Sequence, residues 1–213
     1  MKALVTGFDP FGGEAVNPSL EVIRRLPPAL GGMGLATQCL PVGFAAALPV
    51  LHAAIAREAP DIVLALGEAG GRSELSPERV AINVQDARIP DNAGDQPVDR
   101  AVVAGGPAAY FTTLPIKAAA AAMRAAGLPV QVSNSAGTFL CNHVFYGLMH
   151  HAAVTGGRWR GGFMHLPYLP EQAAGHARAP SMAIETMVAG VLILLGVCAA
   201  RRDDIAAADG ALS

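Results

Sequence analysis

A chain of 213 residues with 52% hydrophobic and 15% charged residues carries enough apolar side chain for one large core, which excludes a disordered polymer. The formal net charge is −2 with no Lys/Arg run, so the basic stripe that phosphate backbones require is absent. Cys39, Cys141 and Cys198, odd in number and widely spaced, form neither a disulfide framework nor a CxxC zinc pair. These exclusions leave a compact globular protein handling a small or neutral ligand.

In chain order, Lys2–Thr6 reads as a first strand ending in Gly7. The opening Met-Lys-Ala-Leu-Val-Thr-Gly is too quickly interrupted for a signal peptide, and points to a reducing, cytoplasmic setting. Residues 18–26 have helical spacing with a Ser near the start. A second strand is expected over Leu35–Val42, a second helix over Ala45–Glu58 closed by Pro60, and a third, fully apolar strand over Asp61–Leu66. Arg79–Val84 is strand-like. Pro90-Asp-Asn-Ala-Gly and Gly105-Gly-Pro mark an irregular excursion between about 86 and 108.

An Ala-rich helix over Ile116–Ala126, a strand over Val130–Ser133, a helix over Leu140–His151, a strand over Gly162–His165 and a long helix over 181–201 complete the pattern. Met187–Ala200 is shorter than the roughly 20 apolar residues a bilayer needs, so it is read as a buried or subunit-interface helix. The tail after Arg201 reads as a fraying end. Repeated strand–helix alternation predicts a single α/β domain with a mostly parallel sheet covered by helices on both faces.

Ligands bind beyond the carboxyl ends of such strands. Cys141 lies after the strand at 130–133 and a short loop, at the start of the next helix. That helix runs back about 16 Å at 1.5 Å per residue, and the return strand ends near His165. One right-handed unit would bring both residues to one rim. A helix N-terminus lowers a thiol's pKa, and its free N–H groups can receive an oxyanion. Cys39 and Cys198, in a strand and an apolar helix, are read as packing residues.

Of the histidines, His143 falls on nearly the opposite helical face from Cys141, so it is a poor partner and Cys141-Asn-His143 is no metal signature. His150 and His151, near a helix C-terminus, are expected to face solvent. His52 and His176 have no chemical neighbours in sequence, and His165 is left. Glu68, Glu74 and Glu78 all follow the third strand, and periodicity does not choose among them. The Gly7-Phe-Asp-Pro-Phe-Gly-Gly13 turn matches neither GxGxxG nor a P-loop and is read as an apolar pocket wall.

Several long motifs in one order resemble the pyrrolidone-carboxyl peptidases (pyroglutamyl peptidase I), over most of the chain. They run from Leu4-Val-Thr-Gly-Phe-Asp-Pro-Phe-Gly-Gly13 to Tyr168-Leu-Pro-Glu-Gln172, through Pro77-Glu-Arg-Val-Ala-Ile-Asn83, Asp86-Ala-Arg-Ile-Pro-Asp-Asn92 and Ser135-Ala-Gly-Thr-Phe-Leu-Cys-Asn-His143. The resemblance implies a three-layer α/β/α sandwich, often tetrameric, without cofactor or metal, that cleaves after an N-terminal pyroglutamyl residue. It carries the family's Cys–His–Glu triad onto Cys141, His165 and Glu78. It places Phe8, Phe11, Ile89, Phe139 and Leu140 around the pyroglutamyl ring, with Arg88 beside that wall to assist at the oxyanion. The resemblance also implies that the backbone of residue 68 touches the substrate lactam. Glu68 is a departure, since Gln is frequent there, and a negative charge near the thiolate would raise the pKa of Cys141. The rival readings are a nucleoside-binding or phosphorolytic enzyme on a similar sandwich, and a catalytically silent binding protein.

Overall fold

The structure, a computed structural model, describes residues 1–210. Six strands form one sheet: β1 (Lys2–Phe8), β2 (Ala29–Leu30), β3 (Met33–Leu40), β4 (Ile62–Glu68), β5 (Ser76–Pro77) and β8 (Arg160–Leu166), in the order β2-β3-β1-β4-β8-β5. The four central strands are parallel, and the short edge strands β2 and β5 run antiparallel to their neighbours. β6 (Val80–Ile82) and β7 (Ala109–Phe111) make a separate antiparallel ribbon.

Alternation along each strand divides the core in two, because successive side chains point to opposite faces. Ala3, Val5, Ile62, Leu64, Leu66, Met164 and Leu166 pack with residues of α1 (Pro18–Arg25), α3 (Ile116–Ala125) and α6 (Ile184–Ala200). Leu4, Phe8, Val63, Ala65 and Phe163 pack instead with α2 (Ala47–Glu58) and α4 (Leu140–Thr155). A strand buried on both faces must be apolar throughout, which is why β4 reads as an uninterrupted run. The short α5 (Pro170–Ala173) follows β8.

Two local devices set the rim. The carboxamide of Asn17, not Ser19, caps α1 by accepting from Ser19 N at 3.0 Å, with Pro18 in the first turn. The Ser19 hydroxyl accepts instead from Phe8 N at 2.9 Å. Gly7 lies against the Ser19 carbonyl, 2.5 Å from where a Cβ would stand. The chain therefore crosses closely from β1 to α1, and the Phe8–Phe11 turn is thrown onto the carboxyl edge of the sheet.

Several expectations change. Val130–Ser133 is not a strand: it touches the edge through single bridges at Leu75–Val130 and Glu78–Ser133, beside the two-residue β5. Of Arg79–Val84 only Val80–Ile82 pairs, and it does so outside the main sheet. α4 runs one turn beyond His151, to Thr155, and ends at Gly156, whose φ of +62° suits the left-handed cap. The tail after Arg201 does not fray over its described part. Asp204 accepts from the N–H groups of Lys117 and Ala118 at the start of α3, and Asp209 pairs with Arg124 at 2.7 Å. No helix is long and apolar enough to cross a membrane among the described residues.

Candidate active site

β1, β4 and β8 all end on one edge, and the loops beyond them enclose a cavity of about 500 Å³. Gly67 and His165 are register partners on β4 and β8, so their Cβ directions share a face, about 4.8 Å apart. A Cβ built on Gly67 would lie 2.7 Å from Cys141 Sγ and 2.7 Å from Phe163 Cζ. The missing side chain of Gly67 is therefore the space the thiol occupies, next to His165. Both Cys141 and His165 line the cavity.

Cys141 is the second residue of α4 and Phe139 is its N-cap. Among the described residues no side chain caps that end, so first-turn N–H groups remain open toward the rim. Asn142 faces away and bonds Ile82 N, Ile82 O and Val84 O, each at 2.9 Å. His143 is buried against Gln85, Nδ1 to Nε2 2.7 Å. Thus one residue of Cys141-Asn142-His143 faces the cavity and the other two anchor the helix to the end of β6 and the segment after it.

His165 Nδ1 lies 2.7 Å from Glu78 Oε1. The carboxylate only accepts, so Nδ1 carries the proton and Nε2 is left as a base. Glu78 is fully buried, held by Glu78 N to Phe163 O and Arg79 N to Ser133 O. Arg72, which sequence reasoning did not single out, donates Nη1 to the same Oε1 at 2.8 Å. The Gly70-Gly71-Arg72 triplet was the available signal. Glu74, left open with Glu78 by periodicity, lines neither rim cavity.

Burial pushes the Cys141 thiol up to about 12, with Glu78 and then Glu68 adding to the rise and Arg72 opposing it. This corrects the expectation of a helix-lowered thiol: desolvation of the sulfur outweighs the helix terminus. The direction expected from Glu68 holds. Burial also lowers His165 below its ordinary 6.5, against the bond from Glu78. The resting pair is therefore neutral thiol and neutral imidazole.

Phe8, Phe11, Phe139 and Leu140 line a small apolar recess beside Cys141, with Glu68 at its edge. Phe11, Glu68, Arg88, Ile89 and Phe139 also border the larger cavity. All seven expected pocket residues thus surround one rim, with Arg88 and Ile89 on the exposed side. Glu68 Oε2 accepts from Gln172 Nε2 at 2.8 Å, and burial raises its pKa. Sequence reasoning missed Tyr168 and His176, which stack on one another (4.8 Å, 6°) along the cavity. It also misplaced the α4 histidines: His150 Nδ1 is 2.9 Å from Tyr110 Oη, and His151 stacks on His52 at 4.0 Å, all half-buried. Among the described residues no cluster of three or more His, Cys, Asp or Glu is placed to hold a metal ion.

A three-layer α/β sandwich whose carboxyl rim gathers a thiol, an imidazole and a carboxylate beside an apolar recess has the groups of a thiol hydrolase. The family model described as Pyroglutamyl peptidase matches residues 1–202, and the chain belongs to that family. It is 57% identical to pyrrolidone-carboxylate peptidase 1 of Ralstonia nicotianae over 98% of each chain. It is 52% identical to pyrrolidone-carboxylate peptidase of Erwinia tasmaniensis, over 99% of this chain and 98% of the other. Among solved structures, pyroglutamyl peptidase I of Bacillus amyloliquefaciens matches with a TM-score of 0.95 at 47% identity, covering 97% of this chain and 99% of that one. A variant pyrrolidone carboxyl peptidase of Pyrococcus furiosus matches at 0.90 and 42%, covering 94% and 99%.

Proposed function

We propose that this chain is a cysteine-type omega-peptidase that hydrolyses the amide bond after an N-terminal pyroglutamyl residue. Its family membership supports the reaction. The observation that carries the assignment of residues is the gap at Gly67, filled by Cys141 Sγ beside the register position of His165.

The pyroglutamyl ring enters the recess of Phe8, Phe11, Phe139 and Leu140, with Ile89 closing over it and the backbone of Glu68 at the lactam. Hydrogen bonds to the lactam amide reject proline, whose ring matches in size but lacks the carbonyl. Pyroglutamate carries no charged amine, so an apolar recess suits it. Because thiol and imidazole rest neutral, the thiol proton passes to His165 Nε2 as sulfur bonds the scissile carbonyl carbon. Open N–H groups at the start of α4 hold the oxyanion, with Arg88 at the margin. His165 then gives its proton to the departing amine as the C–N bond breaks. Glu78 fixes the imidazole tautomer throughout. Water, deprotonated by His165, hydrolyses the thioester and restores the thiol.

The three free cysteines fit a reducing, cytoplasmic setting. Helix α6 is a candidate subunit interface for a tetramer, and the reaction needs no cofactor. The direct test compares release of a fluorogenic amine from pyroglutamyl and prolyl amides, with and without iodoacetamide. Thiol-sensitive cleavage of the pyroglutamyl amide alone is expected. Turnover indifferent to thiol blocking would remove Cys141 from the mechanism.

A further inference from the structure

Arg72 lines neither cavity at the rim, yet it is bonded into the groups that act there. A tight turn presents it: Arg72 N bonds Ala69 O at 3.2 Å, and Gly71 takes φ of +92°. Gly70 packs on the Tyr168 ring, where any Cβ would collide with ring atoms. From this turn Nη1 reaches Glu78 Oε1 at 2.8 Å and Nη2 reaches Ser135 O at 3.1 Å. Ser135 stands in the loop that leads into α4 and Cys141. One planar guanidinium thereby joins the carboxylate behind His165 to the segment feeding the nucleophile.

Charge gives the same contact a second role. Glu78 is fully buried, and among the described residues its Oε2 has no hydrogen-bond partner. All compensation for a buried carboxylate therefore arrives at Oε1, from the His165 ring and from Arg72. An imidazole that must remain neutral at rest supplies none of the positive charge. Arg72, one-third exposed, supplies it from the solvent side.

Resting on the Cys141–His165–Glu78 reading, we propose that Arg72 is a positioning residue of the same site. It holds the Glu78 carboxylate against His165, ties it to the loop before Cys141, and offsets its charge so that the thiol proton can be removed. The charged groups acting on Cys141 are Glu78, Glu68 and Arg72, and those acting on His165 are Glu78 and Arg72. Arg72 lowers the proton affinity of both Cys141 and His165, so deleting its charge raises both.

The test is the pH profile of pyroglutamyl amide hydrolysis by wild type, Arg72→Gln, Arg72→Lys and Cys141→Ala. For Arg72→Gln, kcat should fall about 10²-fold with KM nearly unchanged, because the guanidinium borders no part of the cavity. Both limbs of its profile should move to higher pH by roughly half a unit or more. Iodoacetamide alkylation of Cys141 at fixed alkaline pH should slow in parallel, a readout that loss of packing alone would not give. Arg72→Lys keeps the charge but cannot span both acceptors. Its profile should stay at the wild-type position with kcat about tenfold down. Wild-type kcat and an unshifted profile in Arg72→Gln would overturn the proposal. If Arg72→Gln does not fold, wild-type kcat in Arg72→Lys would do so. Turnover by Cys141→Ala would instead sink the parent reading, whereas an inactive Cys141→Ala with unshifted Arg72 variants sinks only the role of Arg72.

Discussion

At Cys141 two opposed influences meet, and magnitude decides between them. A helix start offers partial positive charge, worth at most a kcal/mol or two. Removing the sulfur from water and placing Glu78 and Glu68 nearby outweighs it, leaving a thiol at about 12 beside an imidazole lowered by burial. Catalysis then needs neutral His165. Because its pKa is lowered, the acid limb of kcat/KM should fall below 6.5, with activity lost as pH drops through the lowered value. Stopped assays of a pyroglutamyl amide across pH 4–8 check this. Replacing Glu68 by Gln removes one carboxylate that raises the thiol, so alkylation of Cys141 by iodoacetamide near pH 9 should accelerate about two- to tenfold. Gly67→Ala drives a methyl to 2.7 Å from both Cys141 Sγ and Phe163, and turnover should fall at least about 10²-fold while the fold persists by circular dichroism.

These side chains were readable to different degrees. Cys141 and His165 both line one rim as expected, although the strand at 130–133 assumed in that expectation is only a pair of single bridges, so the α4–β8 order alone carried the placement. Choosing Glu78 over Glu68 and Glu74 was not possible from spacing, since Glu68 ends β4 and the other two lie in the segment just beyond it, and the motif resemblance made that choice. The direction of the thiol shift was misread because desolvation depends on how deeply α4 sits against Gly67, which no local pattern records. The Gly70-Gly71-Arg72 triplet marks Arg72 in the sequence but not its role, because its partners are six and 63 residues away.

α4 owes its position to the residues that flank the thiol. Asn142 meets three backbone groups at the end of β6 and just beyond it, and its loss leaves these part-buried peptide groups without partners. Asn142→Ala should cost on the order of 3 kcal/mol in urea denaturation. His143, almost wholly buried, has its pKa lowered by burial to about 4. The unfolded chain binds the extra proton between 6.5 and 4, so stability falls as pH drops through that window, by on the order of 3 kcal/mol. Urea midpoints at pH 7, 5.5 and 4 should show the decline, and His143→Gln should reduce it, leaving the part that the likewise lowered His165 contributes. Long elements with clean apolar runs, such as β4 and α6, were legible in the sequence. Val130–Ser133 was not, because single bridges to a two-residue edge strand make no ladder even where the residues favour one. β7 escaped notice because three residues directly after an irregular excursion carry no period.

Over the whole molecule, helices α1, α3 and α6 cover one face of the sheet while α2 and α4 cover the other, and only the second face delivers the nucleophile. The tail returns across the first face, with Asp204 at the N–H groups of α3 and Asp209 on Arg124, so the end of the described chain reinforces that layer. α6 buries Met187, Gly190, Val191, Leu194, Leu195 and Cys198, and turns Leu192 and Gly196 outward, where a Cβ on Gly196 would meet nothing. An apolar helix with an uncovered side suits a subunit contact. Light scattering should find an oligomer, and Leu192→Glu should shift it toward smaller species without changing the far-ultraviolet spectrum. A wild-type chain that scatters as a monomer at micromolar concentration would remove that interface. The central claim is narrower: cleavage of the pyroglutamyl bond proceeds through the sulfur seated at Gly67. It is tested by the rate of amine release from a pyroglutamyl amide by Cys141→Ala against wild type. A fall of at least about 10³-fold with an unchanged melting profile is predicted, and turnover within about tenfold of wild type would contradict it.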